Sequence, residues 1–304
     1  MVQTQPTLQR RAAKGPLGYY FWIFLFPALL IYLVFSILPF IYTLFYSFTD
    51  YTDVHVTGLS FVGLKNYVKV LQTPLMQIAL KNSVIYALTL HSIQIVLALP
   101  LAVVLNMKLK TRNFLRSVFF FPAVFSALII GYLWNYILSS SNYGLINGLI
   151  TSMGGQTFNF FTADRALFSV ILTQIWQWTG WAMVIFLANL QSIPSELYEA
   201  ARVDGATGVR TFFSVTLPLM CPSVKIVAVT GLIGGMKVFD IIYSMTSGGP
   251  GNSTQTVMMV MMKKGISEGF YSTGAAFGVI FFAFVLVLSG VVTKIFEKWS
   301  EKIS

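Results

Sequence analysis

The chain has one cysteine, two histidines and few charges, 10% of its 304 residues, where a soluble domain carries about a quarter. A lone Cys221 excludes an internal disulfide and any cysteine-built metal cluster. The Gly-Lys dipeptide that ends a phosphate-cradling P-loop occurs nowhere, so ATP hydrolysis by this chain is excluded on that pattern. The histidines stand apart. His55 falls in a connecting loop and His91 inside an apolar stretch, where a single imidazole reads as a packing residue, and no constellation for enzyme catalysis is present. What fills the sequence instead is hydrophobic: 56% of residues, including 27 Phe and 14 Tyr, with a mean hydropathy of +0.74. This composition is that of an integral membrane protein, whose aromatic rings fill lipid-facing surfaces and headgroup belts.

A spanning helix needs about 20 mainly apolar residues. Six stretches qualify, at Tyr19 to Tyr46, Ala79 to Leu105, Phe114 to Leu138, Leu167 to Leu190, Val224 to Met245 and Thr273 to Phe296. The expected class is therefore an all-α membrane protein with six transmembrane helices, the first a retained span rather than a cleaved leader. The net charge of +10 sits in short runs between spans, where it orients the protein rather than binding nucleic acid. Arg10, Arg11, Lys14, Lys108, Lys110, Arg112, Arg116, Arg202, Arg210, Lys225, Lys294, Lys298 and Lys302 fall on one side, against Lys65, Lys69, Arg165, Lys263 and Lys264 on the other. Both termini are thus expected in the cytoplasm. The opposite connections are neutral and rich in turn formers, as in 139–144 and 247–252.

The longest insert on the positive side, 191–223, is polar and reads as two short helices. Pro194 suits a helix start, Ser195 is the expected N-cap, and Glu196 favours the positive end. Leu197, Ala200, Ala201 and Asp204 share one face, with two small residues at its middle, flanked by Tyr198, Glu199 and Arg202. Gly205 ends the helix in a left-handed cap. Thr207 caps a second helix through Phe212 and Phe213, and Pro218 turns the chain into the next span. Such an insert either packs on its own bundle at the membrane surface or serves a partner.

The string Glu199-Ala200-Ala201, Gly205, Val215 and Leu217-Pro218 resembles the signature of binding-protein-dependent ABC importer permeases, with Val215 in place of the usual isoleucine. Further strings resemble the carbohydrate branch, of maltose and glycerol-3-phosphate type: Phe61-Val62-Gly63-Leu64-Lys65-Asn66-Tyr67, Gly144-Leu145-Ile146-Asn147, Ile193-Pro194, Asp204-Gly205-Ala206, Phe239-Asp240-Ile241-Ile242-Tyr243 and Gly248-Gly249-Pro250. The resemblance implies a type I importer permease fold. Its parts are a tail, first span and outer loop at 1–78, a five-helix core at 79–297 carrying coupling helices at 191–223, and a short tail at 298–304. It further implies that Glu199 makes the polar contact to an ATPase subunit, that Ala200, Ala201 and Asp204 form the close-packed face, and that Gly205 turns the chain. Leu217 and Pro218 would fix the exit into helix 5. The implied partners are a second permease, two ATPase subunits that hold the ATP and Mg, and an external solute-binding protein delivering a sugar or oligosaccharide, in a prokaryotic plasma membrane. Glycerol-3-phosphate or a polyol is the alternative cargo.

An ion-coupled secondary carrier is the rival from another class, and it would hold unpaired acidic or histidine groups within spans. Asp240 is the clear intramembrane carboxylate, and Lys237 stands one turn before it, where the two can neutralise each other. For the substrate path the expected residues are Trp176, Trp178 and Asn189 in helix 4, with Trp181 beside them, and Lys237 and Asp240 in helix 5. The same residues also read as belt anchors and a snorkelling pair. Gly231, Gly234 and Gly235 would let helix 5 approach a neighbour closely or bend.

Overall fold

A computed structural model describes residues 16–52, 59–141 and 143–301. Arg10, Arg11, Lys14, His55, Asn142 and Lys302, all read above for side or loop character, lie outside the described residues. The chain begins with α1 (Pro16–Tyr32), which passes through a π-type turn into α2 (Leu38–Tyr46). Together they form an apolar span, Phe21–Ser47, in whose most hydrophobic window no residue is buried by the rest of the chain. In a bilayer that surface faces lipid or another subunit. After the short α3 (Lys65–Gln72), α4 (Pro74–Asn106) runs 33 residues, about 50 Å at the helical rise, enough to cross the membrane and protrude. The later elements are α5 (Arg112–Phe120), α6 (Ala127–Ile137), α7 (Leu145–Ser152), α8 (Ala166–Ser192), α9 (Ser195–Val203), α10 (Gly208–Thr211), α11 (Leu217–Leu219), α12 (Cys221–Met236), α13 (Asp240–Thr246), α14 (Val257–Met262) and α15 (Tyr271–Glu301).

Four spans are continuous, and the expected six are reached only by counting as one span each of two bent pairs, Arg112–Val124 with Ala127–Ile137 and Gly208–Leu219 with Cys221–Met236. The stretch predicted as one helix from Phe114 to Leu138 bends by 97° between Arg112–Val124 and Ala127–Ile137. Pro122 sits in a 3-10 turn there, and Ser126 restarts the helix by accepting from Leu128 N at 3.3 Å. The stretch predicted from Val224 to Met245 is likewise interrupted: α12 ends at Met236 and α13 begins at Asp240. Lys237 N and Val238 N donate to the carbonyls of Gly234 (3.1 Å) and Gly235 (3.2 Å), tightening the last turn. The freed Val238 carbonyl accepts from Thr256 Oγ1 at 3.0 Å. A non-helical segment at membrane depth survives where protein supplies its hydrogen bonds.

The core is built around α4. Ala98 and Ala102 pack with Met183, Phe186 and Val227 near one end, while Ala79 and Ala87 pack with Leu232, Met236, Val257 and Phe277 near the other. Their small side chains let α4 approach α8 and α12 closely, the usual basis of helix association in membranes. Gly180 of α8 allows a similar approach to the end of α5, since a Cβ there would overlap the Phe119 carbonyl. The end that holds Leu105, Leu190, Met220 and Phe296 also gathers Arg116, which donates to Leu105 O at 2.8 Å, and the Lys225–Glu297 pair at 2.9 Å. The 252–257 segment closes the opposite end, where Asn82 Nδ2 holds the carbonyls of Ser253 and Gln255 at 3.0 and 2.9 Å.

Candidate functional site

At the basic end, α9 and α10 project from the bundle. Pro194 occupies the N-cap position and Ser195 is the first helical residue, so the side-chain cap expected from Ser195 is not made. Glu196 lies in the first turn, where the helix dipole favours a carboxylate. The far end follows the sequence reading. Gly205, at φ 73°, donates to Arg202 O at 3.0 Å while Ala206 N reaches Ala201 O at 2.9 Å. These are the two bonds of a glycine-terminated helix. Thr207 then caps α10 by accepting from Arg210 N, and the chain bends by 62° between Gly208–Leu219 and Cys221–Met236. Leu217 packs on the core and Pro218 is half-buried at that bend.

Nothing in α9 is fully buried. Leu197, Glu199, Ala200, Asp204 and Gly205 are exposed, and only Tyr198 and Ala201 turn partly inward, with Thr216 Oγ1 donating to the Tyr198 hydroxyl at 3.4 Å. The alternative in which this insert packs against its own bundle therefore describes one edge of it alone. Val203 and Val209 stand 88% and 72% exposed. Apolar residues are presented here on a polar, charged insert.

The second region is a cavity of about 340 Å³ between α4, α8, α12 and the break before α13. Trp178, Lys237 and Asp240 of the expected path line it, together with Trp181. Trp176 lies elsewhere, 44% exposed and against Trp134 with ring centroids 5.5 Å apart. Asn189 is also outside, where its Nδ2 donates to Leu219 O and Ser223 Oγ and ties α8 to the bend before α12. Lys237 and Asp240 do not share a continuous helix, because the chain unwinds between them, and no ion pair joins them among the described residues. Both side chains stay exposed at the cavity. Trp178 and Trp181 meet at 87° with centroids 6.3 Å apart, forming an aromatic corner.

Tyr86, Gln94, Gln174 and Thr230 also line the cavity and were not singled out from the sequence. Their signal was present: glutamines buried in apolar spans are costly and seldom idle. His91 is half of what the sequence suggested. Its Nδ1 bonds Gln94 Oε1 at 2.7 Å, while its Nε2 has no protein partner among the described residues. The ring lies on Gly231 and Gly235, where added Cβ atoms would come within 2.5 Å of Nδ1 and 3.0 Å of Nε2. Close approach is thus the use of these two glycines, whereas Gly234 faces open space. Among the described residues no group of His, Cys, Asp and Glu could hold a metal.

Bent spans around a central seam, with a projecting helical insert, define the class: a permease of the type I ABC importer fold. The fold matches that of a chain in a bacterial alginate ABC transporter in complex with an alginate pentasaccharide-bound periplasmic protein, with a TM-score of 0.80 at 21% identity over 96% of this chain and 99% of that one. The chain belongs to the family of binding-protein-dependent transport system inner membrane components, whose model matches residues 94–302. It is 34% identical to the multiple sugar-binding transport system permease protein MsmF of Streptococcus mutans, over 92% of this chain and 96% of that protein. The trehalose/maltose transport system permease protein MalF of Thermococcus litoralis is also 34% identical, over 93% and 92%. The arabinooligosaccharides transport system permease protein AraP of Bacillus subtilis is 32% identical, over 90% and 87%. These relatives place the chain in the carbohydrate branch expected from its motifs. It is a multi-pass membrane permease, not an enzyme, and works within an ABC importer.

Proposed function

We propose that this permease carries a neutral sugar or oligosaccharide, delivered by an external solute-binding protein, through a path to which Trp178, Lys237 and Asp240 contribute. The cavity carries the reading: a right-angled indole pair offers faces for the C-H surface of a sugar, and amides, an ammonium and a carboxylate stand beside it for hydroxyls. Its two charges, Lys237 and Asp240, are of opposite sign, and among the described residues no arginine lines it. A phosphate such as that of glycerol-3-phosphate is better held by a cationic clamp, so the alternative cargo is disfavoured. The relatives' names, which specify sugars, trehalose and maltose, and arabinooligosaccharides, point the same way.

The exposed α9 insert is the coupling surface of this proposal. Glu199 with the Ala200, Ala201 and Asp204 stretch enters a cleft of one of two ATPase subunits, which hold the ATP and Mg; Gly205, Leu217 and Pro218 fix its geometry. Closure of those subunits shifts the permease pair between inward-open and outward-open states, a population shift by a ligand bound in trans. The second permease is a distinct homologue, and both termini with the α9 insert face the cytoplasm of a prokaryotic cell. The division at 1–78, 79–297 and 298–304 belongs to the same reading. The assembled importer, purified with its ATPase subunits and reconstituted in vesicles with its binding protein, should accumulate radiolabelled maltose or raffinose only with ATP. Accumulation without any ATPase would instead establish a secondary carrier, and uptake of glycerol-3-phosphate in preference to sugars would overturn the cargo.

A further inference from the structure

We infer that Gln174 is a specificity-determining positioning residue, acting on the substrate through Trp178 by holding its indole ring as a fixed wall of the cavity. This rests on the sugar reading above. Gln174 is buried, with both ends of its amide occupied. Its Oε1 accepts from Trp178 Nε1 at 3.1 Å and from the Tyr86 hydroxyl at 3.3 Å. Its Nε2 donates to Gln177 Oε1 at 2.5 Å, and Gln177 Nε2 donates in turn to the Phe125 carbonyl at 3.0 Å. That carbonyl can only accept and the indole N–H can only donate, so the direction of the chain is set independently at each end. Gln177 must present its oxygen to Gln174, and Gln174 must present its own oxygen to the indole.

Both acceptor sites of Gln174 Oε1 are taken, by the indole and by the Tyr86 hydroxyl, so its carbonyl oxygen acts on the cavity through Trp178. The other end of Trp178 is also held, its carbonyl accepting from Gln94 Nε2 at 2.7 Å. An indole held at both its ring nitrogen and its backbone lines the cavity in one orientation, and Trp181 stands at 87° to it. Shape selection of this kind separates sugars by ring stereochemistry and linkage, because a fixed plane rewards only those faces that lie flat on it. Every side-chain polar atom of Gln174 and Gln177 has a partner, the condition that favours one arrangement of such a chain.

The test compares variants of the complete importer in vesicles, reading relative uptake of radiolabelled maltose, trehalose and raffinose. Gln174→Met removes the acceptor at equal length and should change the ratios among the three sugars by tenfold or more. Trp178→Phe should change them in the same direction, and the double variant should go no further than the deeper single one. Gln177→Leu breaks the same network at its other end but leaves the bond to the indole. It should lower thermal stability and leave the ratios unchanged. Multiplicative effects of the two singles, or ratios altered equally by Gln177→Leu, would overturn the inference. If the wild-type assembly takes up none of the three sugars, the cargo reading falls. Gln174 and Trp178 are then judged by melting temperature, where non-additive shifts support the coupling and additive shifts refute it.

Discussion

Gly180 and Gly205 are both glycines in helical surroundings, and the physical reasons for them differ. At Gly180 the constraint is space: a Cβ would overlap the Phe119 carbonyl and come within 2.8 Å of Phe120 Cα, backbone that cannot step aside. Gly180→Ala should destabilise by about 3 kcal/mol through forced separation of α8 from the end of α5, checked by thermal unfolding in detergent. At Gly205 there is nothing within 4 Å, and the constraint is the backbone at φ 73° alone. Gly205→Val should cost about 1–2 kcal/mol, felt locally because α9 buries no residue. Hydrogen exchange over 195–206 should accelerate while the melting point of the bundle stays put. The sequence announced Gly205, since its neighbours show helix caps on both sides. It was silent on Gly180, whose neighbour lies some sixty positions earlier in the chain.

Helical elements show where pattern reading reaches its limit. Hydropathy located α4, α8 and α15 and both ends of the α9 insert, because an apolar run or a cap is a local property. It merged α5 with α6 and α12 with α13, since a window of apolar residues looks the same straight or bent. The breaks depend on hydrogen bonds from outside the segment, such as Thr256 to the Val238 carbonyl. The 252–257 segment is tied to the bundle in the same way by Asn82, which reaches three of its carbonyls. Asn82→Leu should leave these acceptors unmet at about 1–3 kcal/mol. Limited proteolysis of that segment should become much faster, and an unchanged cleavage rate would show the bonds to be dispensable. Lys237 and Asp240 were legible as functional candidates; their separation by a break was not.

For the whole molecule, orientation and coupling are the properties to test. In a Cys221→Ala background, Val209→Cys should label only from the cytoplasmic face and Met153→Cys only from the external one, both sites being more than 70% exposed. The reverse pattern would invert the topology. Glu199→Lys should reduce recovery of the ATPase subunits with the permease at least tenfold without lowering its own melting temperature, because Glu199 is exposed. By itself the sequence determined the solvent the protein lives in, the number of apolar stretches, and a polar insert with its own start, stop and turn. Composition, hydropathy and capping are encoded by neighbouring residues, and the absence of a P-loop needs no fold to be seen. Only the tertiary structure decided which spans bend, that Trp178 faces a cavity while Trp176 and Asn189 do not, and that Gln94 and Gln174 hold its wall in place. Facing and hydrogen-bond direction arise between residues distant in sequence, where helix packing and the need to satisfy buried polar groups choose the partners.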